Sequence, residues 1–305
     1  MKAIRLQFCG GPEALVFEGT PLPRLGEGEL FVHVHAAAVT PTELEWAPTW
    51  TTRAGGPRPF PIILGHEFSG EVRAVGPGVS DLAEGSAIFG MNDWFRDGAQ
   101  AEYCAARAAD VAAKQRSLDH VAAAVTPISA LTAWEGLIER AALAPEERVL
   151  IHGAAGGVGA FAVQVARLRR AYVMGTASAH NLQFVRGLGA DQLIDRRAER
   201  FEDVVGPVDV VFDTVGGETL ARSWGVLKTD GRMVTIAASA EQTREQRVRE
   251  AFFIVEPNRA QLAKVASLID GGEVWPIVGG VFPLSQAREA YEYKPRNGKV
   301  ALSVA

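Results

Sequence analysis

The run His152-Gly153-Ala154-Ala155-Gly156-Gly157-Val158-Gly159 has the residue types and spacing to hold a diphosphate. Small residues let the backbone approach a ligand closely. A helix that begins there turns free N–H groups and the positive end of its dipole toward an anion. The residues match G-x-G-x-x-G as Ala154, Gly156 and Gly159, with alanine in the first place. Flanks decide whether such a pattern carries meaning. The apolar run Arg148-Val149-Leu150-Ile151 precedes it, and Phe161 to Leu168 follows with helical periodicity. Strand, turn and helix in that order predict a dinucleotide site, with backbone contacts from Ala155, Gly156, Gly157 and Val158.

A second cluster bears on which dinucleotide is held. The strand predicted at Ala171–Thr176 leads into Ala177-Ser178-Ala179-His180-Asn181. An acid about twenty residues past the glycine turn would accept from a ribose 2′-hydroxyl. None occurs before Asp191. Ser178 and Asn181 can instead donate to a 2′-phosphate, with charge from His180 or Arg186. This favours NADP(H), with Thr176 at the strand end. Ser178 also suits a helix N-cap, and the two roles are compatible.

Two kinds of sequence must position these groups. Residues 1 to about 120 are rich in glycine and proline and alternate at period two. Leu30–Ala36 and Ser69–Val75 are the clearest strands, with shorter ones at Ala87–Gly90 and Ala101–Cys104. Such spacing predicts a barrel-like β domain. From about residue 121, apolar strand runs alternate with helical patterns, at Arg148–His152, Ala171–Thr176, Gln192–Ile194, Val208–Phe212, Arg232–Ile236 and Phe252–Val255. That alternation is the mark of an α/β domain with a doubly wound parallel sheet, whose ligands bind at the carboxyl ends of the strands. Thr214, Val215 and Gly216 follow one such end, and Ala237 another. After a helix at Arg259–Ile269, strands at Val278–Phe282 and Lys299–Val304 are expected to return to the first domain. The division is then 1–120 with 272–305, and 121–271.

Composition excludes several classes. With 48% hydrophobic and 22% charged residues, the balance is that of an ordinary soluble globular protein. A net charge of −5 gives no reason to expect nucleic acid or an anionic membrane. Two cysteines, Cys9 and Cys104, make neither a disulfide framework nor a metal cluster. With no signal peptide or membrane-spanning run to be read, a cytoplasmic protein is expected.

Several motifs in order point to one family. Gly65-His66-Glu67, Val75-Gly76-Pro77-Gly78-Val79, Ala130-Leu131-Thr132-Ala133-Trp134, the glycine turn, Phe212-Asp213-Thr214-Val215-Gly216-Gly217 and Gly298-Lys299-Val300 occur along the chain. Together they resemble the medium-chain dehydrogenase/reductase superfamily, most closely its zinc-independent quinone oxidoreductase-like branch. The resemblance implies a GroES-like β-barrel domain beside a Rossmann domain, with NADP(H) in the cleft. It implies hydride transfer to a small-molecule acceptor, a quinone or an α,β-unsaturated carbonyl. It implies nicotinamide-side roles for Thr132, Phe253 and Val255. Lys299, in the polar turn Asn297-Gly298-Lys299, is set to approach the diphosphate. Trp46, Trp50, Trp94 and Phe253 are candidate walls of a flat apolar pocket, and Thr40 is the candidate catalytic group. A homodimer is expected, with Arg249–Val255 as one candidate for its edge strand.

The same resemblance raises the question of zinc, because the histidine of Gly65-His66-Glu67 is a ligand in zinc alcohol dehydrogenases. Its partners would fall at Thr40 and near Ile128, neither of which binds zinc well. No metal is therefore expected. An alcohol dehydrogenase, or a non-enzymatic NADPH-binding protein, remains the alternative.

Overall fold

The protein is described by a computed structural model covering residues 1–240 and 243–304. Its first part contains β1 (Lys2–Leu6), β2 (Leu15–Gly19), β3 (Glu29–Val39), β4 (Ile62–Ile63), β5 (Glu67–Val75), β6 (Ala87–Met91), β7 (Tyr103–Arg107) and β8 (Val111–Ala113). β3 is the organising strand, antiparallel to both β5 and β7. Its alternate residues Leu30, Val32 and Val34 are fully buried, packed with Phe68, Val72, Ile88 and Val111. Register shifts between β3 and β5 let the pair bend, as bulges do. The strand expected at Ala101–Cys104 lies two residues later, at Tyr103–Arg107, because Ala101 is spent on a single bridge to Ala3. Cys104 is a packed small hydrophobe whose thiol burial pushes up to about 12.

The second part holds β9 (Arg148–His152), β10 (Tyr172–Ala177), β11 (Gln192–Asp195), β12 (Val208–Asp213) and β13 (Leu227–Thr235). All pair in parallel, in the order β11-β10-β9-β12-β13. This is a Rossmann arrangement, reversing direction between β9 and β12. Val149, Ile151, Val173, Val210 and Phe212 are buried to 0%, as near-continuous apolar strands covered on both faces should be.

The strand expected at Phe252–Val255 does not form. Phe252 makes one bridge to Thr235, and the Phe253 amide donates to the Thr235 carbonyl at 3.3 Å. Beyond that point the Val255 carbonyl is taken by the Trp94 side chain, and Pro257 has no amide to offer a ladder. The neighbouring residues Gln246–Ala251 are helical, so Arg249–Ala251 cannot serve as a dimer edge strand. Within the described residues, β13 ends that side of the sheet.

The chain then returns. β14 (Val278–Pro283) pairs with β15 (Lys299–Ser303), and β15 runs antiparallel to β3, Val300 opposite Val39. The helix His120–Ala124 packs on β3 and β5. Among the described residues no helix is long and apolar enough to cross a membrane.

Candidate dinucleotide and acceptor site

Glycine geometry shapes the turn after β9. Gly153 has φ 71°, and a Cβ there would lie 2.3 Å from Thr214 Oγ1. The tight turn thus falls to Gly153, one residue before the alanine that the sequence pattern put in first place. Ala154 is instead fully buried, its amide donating to the Thr176 carbonyl at 3.1 Å. A Cβ on Gly159 would come within 2.1 Å of the Gly153 carbonyl, so this glycine lets the helix close on the turn. Gly156 differs, because its Cβ would meet nothing nearer than 3.4 Å. The backbone there is open to a ligand, at the cap of the helix Gly157–Leu168, whose first N–H groups lack intrahelical partners.

A second loop faces this turn. The Gly298 amide donates to the Ala155 carbonyl at 2.9 Å. Asn181 Nδ2 donates to the Arg296 carbonyl at 2.7 Å, and Arg296 Nη2 to the His180 carbonyl at 3.0 Å. The cleft between them, about 640 Å³, is lined by Ala155, Gly156, Thr176, Ser178, Asn181, Thr214 and Val215. Three cations not singled out in the sequence, Arg196, Lys294 and Arg296, line the same cleft, whereas Arg186 does not. Local spacing could not reveal them, because Arg196 follows β11 and the other two lie in the returning loop before β15. Ser178 caps nothing with its side chain; its Oγ lies 3.2 Å from His180 Nε2. Asn181 has its amide nitrogen committed to Arg296.

The adjoining cavity, about 260 Å³, is lined by Thr40, Trp46, Thr132, Gly157, Val158, Thr214, Ala237, Phe253, Val255 and Lys299. Ser129 and Tyr293 join them without having been singled out in the sequence. Besides Arg186, three expected residues stand outside both cavities. Trp50 packs on Phe60, with ring centroids 6.2 Å apart. Trp94 is 2% exposed and wedged between Trp46 and His66, so it supports the wall rather than lining it. Gly216 shapes the turn after β12, with φ 76° and its amide on Asp213. Asp213 is buried and also accepts from the Val215 amide and Thr235 Oγ1, which fixes the end of that strand.

Two acids on the barrel side, Glu43 and Glu67, are buried completely. Glu43 accepts from the Gly65 amide at 2.9 Å and lies 3.0 Å from His66 Nδ1. Burial alone would raise its carboxyl, but His66 and the Gly65 and His66 amides outweigh this and hold it low. His66 Nε2 lies 3.1 Å from the Arg96 carbonyl. Glu67 pairs with Lys299 Nζ and accepts from the Ile128 amide at 2.9 Å. Its carboxyl is raised by burial, which outweighs Lys299 and that amide. Lys299 therefore points at Glu67 and is not a free cation at the diphosphate. Among the described residues, no group of three or more His, Cys, Asp or Glu side chains is gathered to hold a metal.

Comparison with known proteins agrees with this geometry. Residues 26–152 match the alcohol dehydrogenase GroES-like domain, and residues 188–300 the zinc-binding dehydrogenase family. The chain belongs to the medium-chain dehydrogenase/reductase superfamily. It is 31% identical to a probable mitochondrial zinc-binding oxidoreductase of Arthroderma benhamiae, over 93% of this chain and 91% of the relative. It is 31% identical to a chloroplastic NADPH-dependent alkenal/one oxidoreductase of Arabidopsis thaliana, over 99% of this chain and 79% of the relative. The fold superposes on the quinone oxidoreductase of Coxiella burnetii with a TM-score of 0.91 and 28% identity, covering 100% of this chain and 99% of the other.

Proposed function

We propose that this protein is an NADPH-dependent oxidoreductase that reduces quinones or α,β-unsaturated carbonyls without zinc. One observation carries the reading: an open glycine turn at the switch of a parallel sheet faces a cleft carrying Ser178, Arg196 and Arg296. Those groups suit a 2′-phosphate, and the open Gly156 backbone suits a diphosphate. When bound, the cofactor supplies a hydride from its nicotinamide. The chain's own residues hold it, align the acceptor and exclude water. Trp46, Phe253 and Val255 offer a flat apolar wall for a conjugated acceptor.

The family description raises zinc, and the donor set here does not fit it. His66 has Glu43 at one ring nitrogen and the Arg96 carbonyl at the other. By the family resemblance its partners would fall at Thr40 and near Ile128, which bind zinc poorly, and Glu67 is paired with Lys299. Reduction of an enone or quinone puts charge on a delocalised oxyanion, which hydrogen-bond donors can stabilise.

In this reading, residues 1–120 with 272–305 form the acceptor domain and 121–271 the nucleotide domain. The protein works in the cytoplasm as a homodimer, and β13, the strand that ends the sheet order, is the candidate joining strand. The test is NADPH oxidation by EDTA-treated protein across a panel of quinones and enones. Turnover is expected with some of them. Tight NADPH binding with no acceptor reduced would leave a nucleotide-binding protein, and alcohol oxidation restored by zinc would mark an alcohol dehydrogenase.

A further inference from the structure

The acceptor cavity is walled mainly by apolar side chains, and among the described residues two titratable side chains reach it, Lys299 and Tyr293. Tyr293 is 44% exposed and leans on Phe282. Lys299 is drawn inward instead. Its side chain is 11% exposed and its Nζ pairs with Glu67, whose side chain has no exposure. Its stem lies along the helix start, since a Cβ on Gly157 would meet Lys299 Cβ at 3.4 Å and Ser129 Oγ at 3.0 Å. Thr40 and Ser129 line the same cavity, and both hydroxyl oxygens are buried without a hydrogen-bond partner. A buried hydroxyl left unpaired is costly, and a charge in an apolar wall more so. Two unpaired hydroxyls around one cavity, beside the amine that Glu67 holds, are explained by a ligand oxygen that satisfies them.

We propose that Lys299, Thr40 and Ser129 form an oxyanion site for the acceptor, and that Lys299 is the catalytic acid that protonates the acceptor's oxygen. This rests on the reading above, that the acceptor is a conjugated carbonyl or quinone. Hydride arriving at the β-carbon of an enone pushes the π electrons onto the carbonyl oxygen. An Nζ–H bond of Lys299 then breaks as the new O–H bond forms. The enol tautomerises in water, and the Lys299 amine regains its proton from water. Glu67 is a positioning residue, holding the ammonium in place from behind. The two hydroxyls donate to the oxygen while its charge develops.

The experiment uses 4-nitrophenolate as a coloured oxyanion probe, titrated into the full-length protein with NADP⁺ present. Lys299→Met alone strands a buried carboxylate, so the deciding variant is the double Glu67→Gln/Lys299→Met, which removes both charges. The wild type is expected to prefer the phenolate over the neutral phenol. The double variant should lose at least about tenfold in phenolate affinity and about 10²-fold in enone kcat, with NADP⁺ affinity held. Equal phenolate affinity in wild type and double variant would overturn the proposal. So would a tenfold loss of NADP⁺ affinity, which would make Lys299 a diphosphate contact, or a phenolate loss found in Tyr293→Phe instead. Failure of every enone and quinone to turn over, with the Lys299-dependent phenolate preference intact, would reject the acceptor reading and support the oxyanion site.

Discussion

The indole Nε1 of Trp94 donates to the carbonyl of Val255 at 2.7 Å, joining a barrel loop to the segment after β13. Trp94 also packs on Trp46 and His66, so one buried ring braces the acceptor wall from behind. Trp94→Phe keeps the packing and removes the bond. It should cost about 1–2 kcal/mol in denaturant unfolding and lower acceptor kcat/KM about tenfold. Unchanged kinetics would show that the Val255 segment holds itself in place.

The glycines separate into those that must be glycine and those that need not be. Gly153→Ala forces a side chain at φ 71° into Thr214 Oγ1, and Gly159→Ala drives a Cβ into the Gly153 carbonyl. Both variants should lose NADPH affinity by more than about tenfold and melt earlier. Gly187 lies in the helix Leu182–Leu188, and a Cβ there would meet nothing within 4 Å. Gly187→Ala should stabilise the protein by about 0.5–1 kcal/mol, measured by thermal melting.

Arg196 is the cation whose backbone is tied directly to the end of β10, through its amide on the Ala177 carbonyl at 3.0 Å. Arg196→Ala should weaken NADPH about 10- to 100-fold and leave NADH almost unaffected, with the difference shrinking as salt rises. The NADPH-to-NADH ratio of dissociation constants checks this. An equal loss for both would put Arg196 away from the 2′-phosphate.

His152 is buried between Thr176 Oγ1 and Ser223 Oγ, and burial depresses it to about 4. A base whose folded value lies below its unfolded one favours folding above the unfolded value. That contribution is full above about pH 6.5 and is lost as the pH falls toward 4. His120, stacked on His35 and depressed by burial to about 4, adds in the same direction. Melting temperature should therefore fall through this window, less steeply in His152→Gln. An identical slope in that variant would remove His152 from the account.

Much of this was legible in the sequence because the signals were local. Period-two runs marked β3 and β5, and strand-turn-helix around Gly156 marked the dinucleotide turn. What local pattern could not carry was pairing across distance. The Phe252–Val255 run reads as a strand until Trp94, 161 positions away, takes its carbonyl. Lys299 reads as an exposed lysine until Glu67 is found beside it. Ser129, Arg196 and Arg296 reach the clefts only because the sheet and the returning loop bring them there. Gly153 and Ala154 exchanged duties by a one-residue shift that only the backbone dihedral reveals.

The central claim is tested most directly by isotope transfer. The protein is mixed with NADPH deuterated at the nicotinamide C4, separately in each stereochemical form, and with an enone accepted in the panel, in the presence of EDTA. The account predicts one deuterium at the β-carbon of the saturated product from one of the two forms, read by mass spectrometry. Product lacking deuterium from both forms, or none formed unless zinc is added, would contradict it.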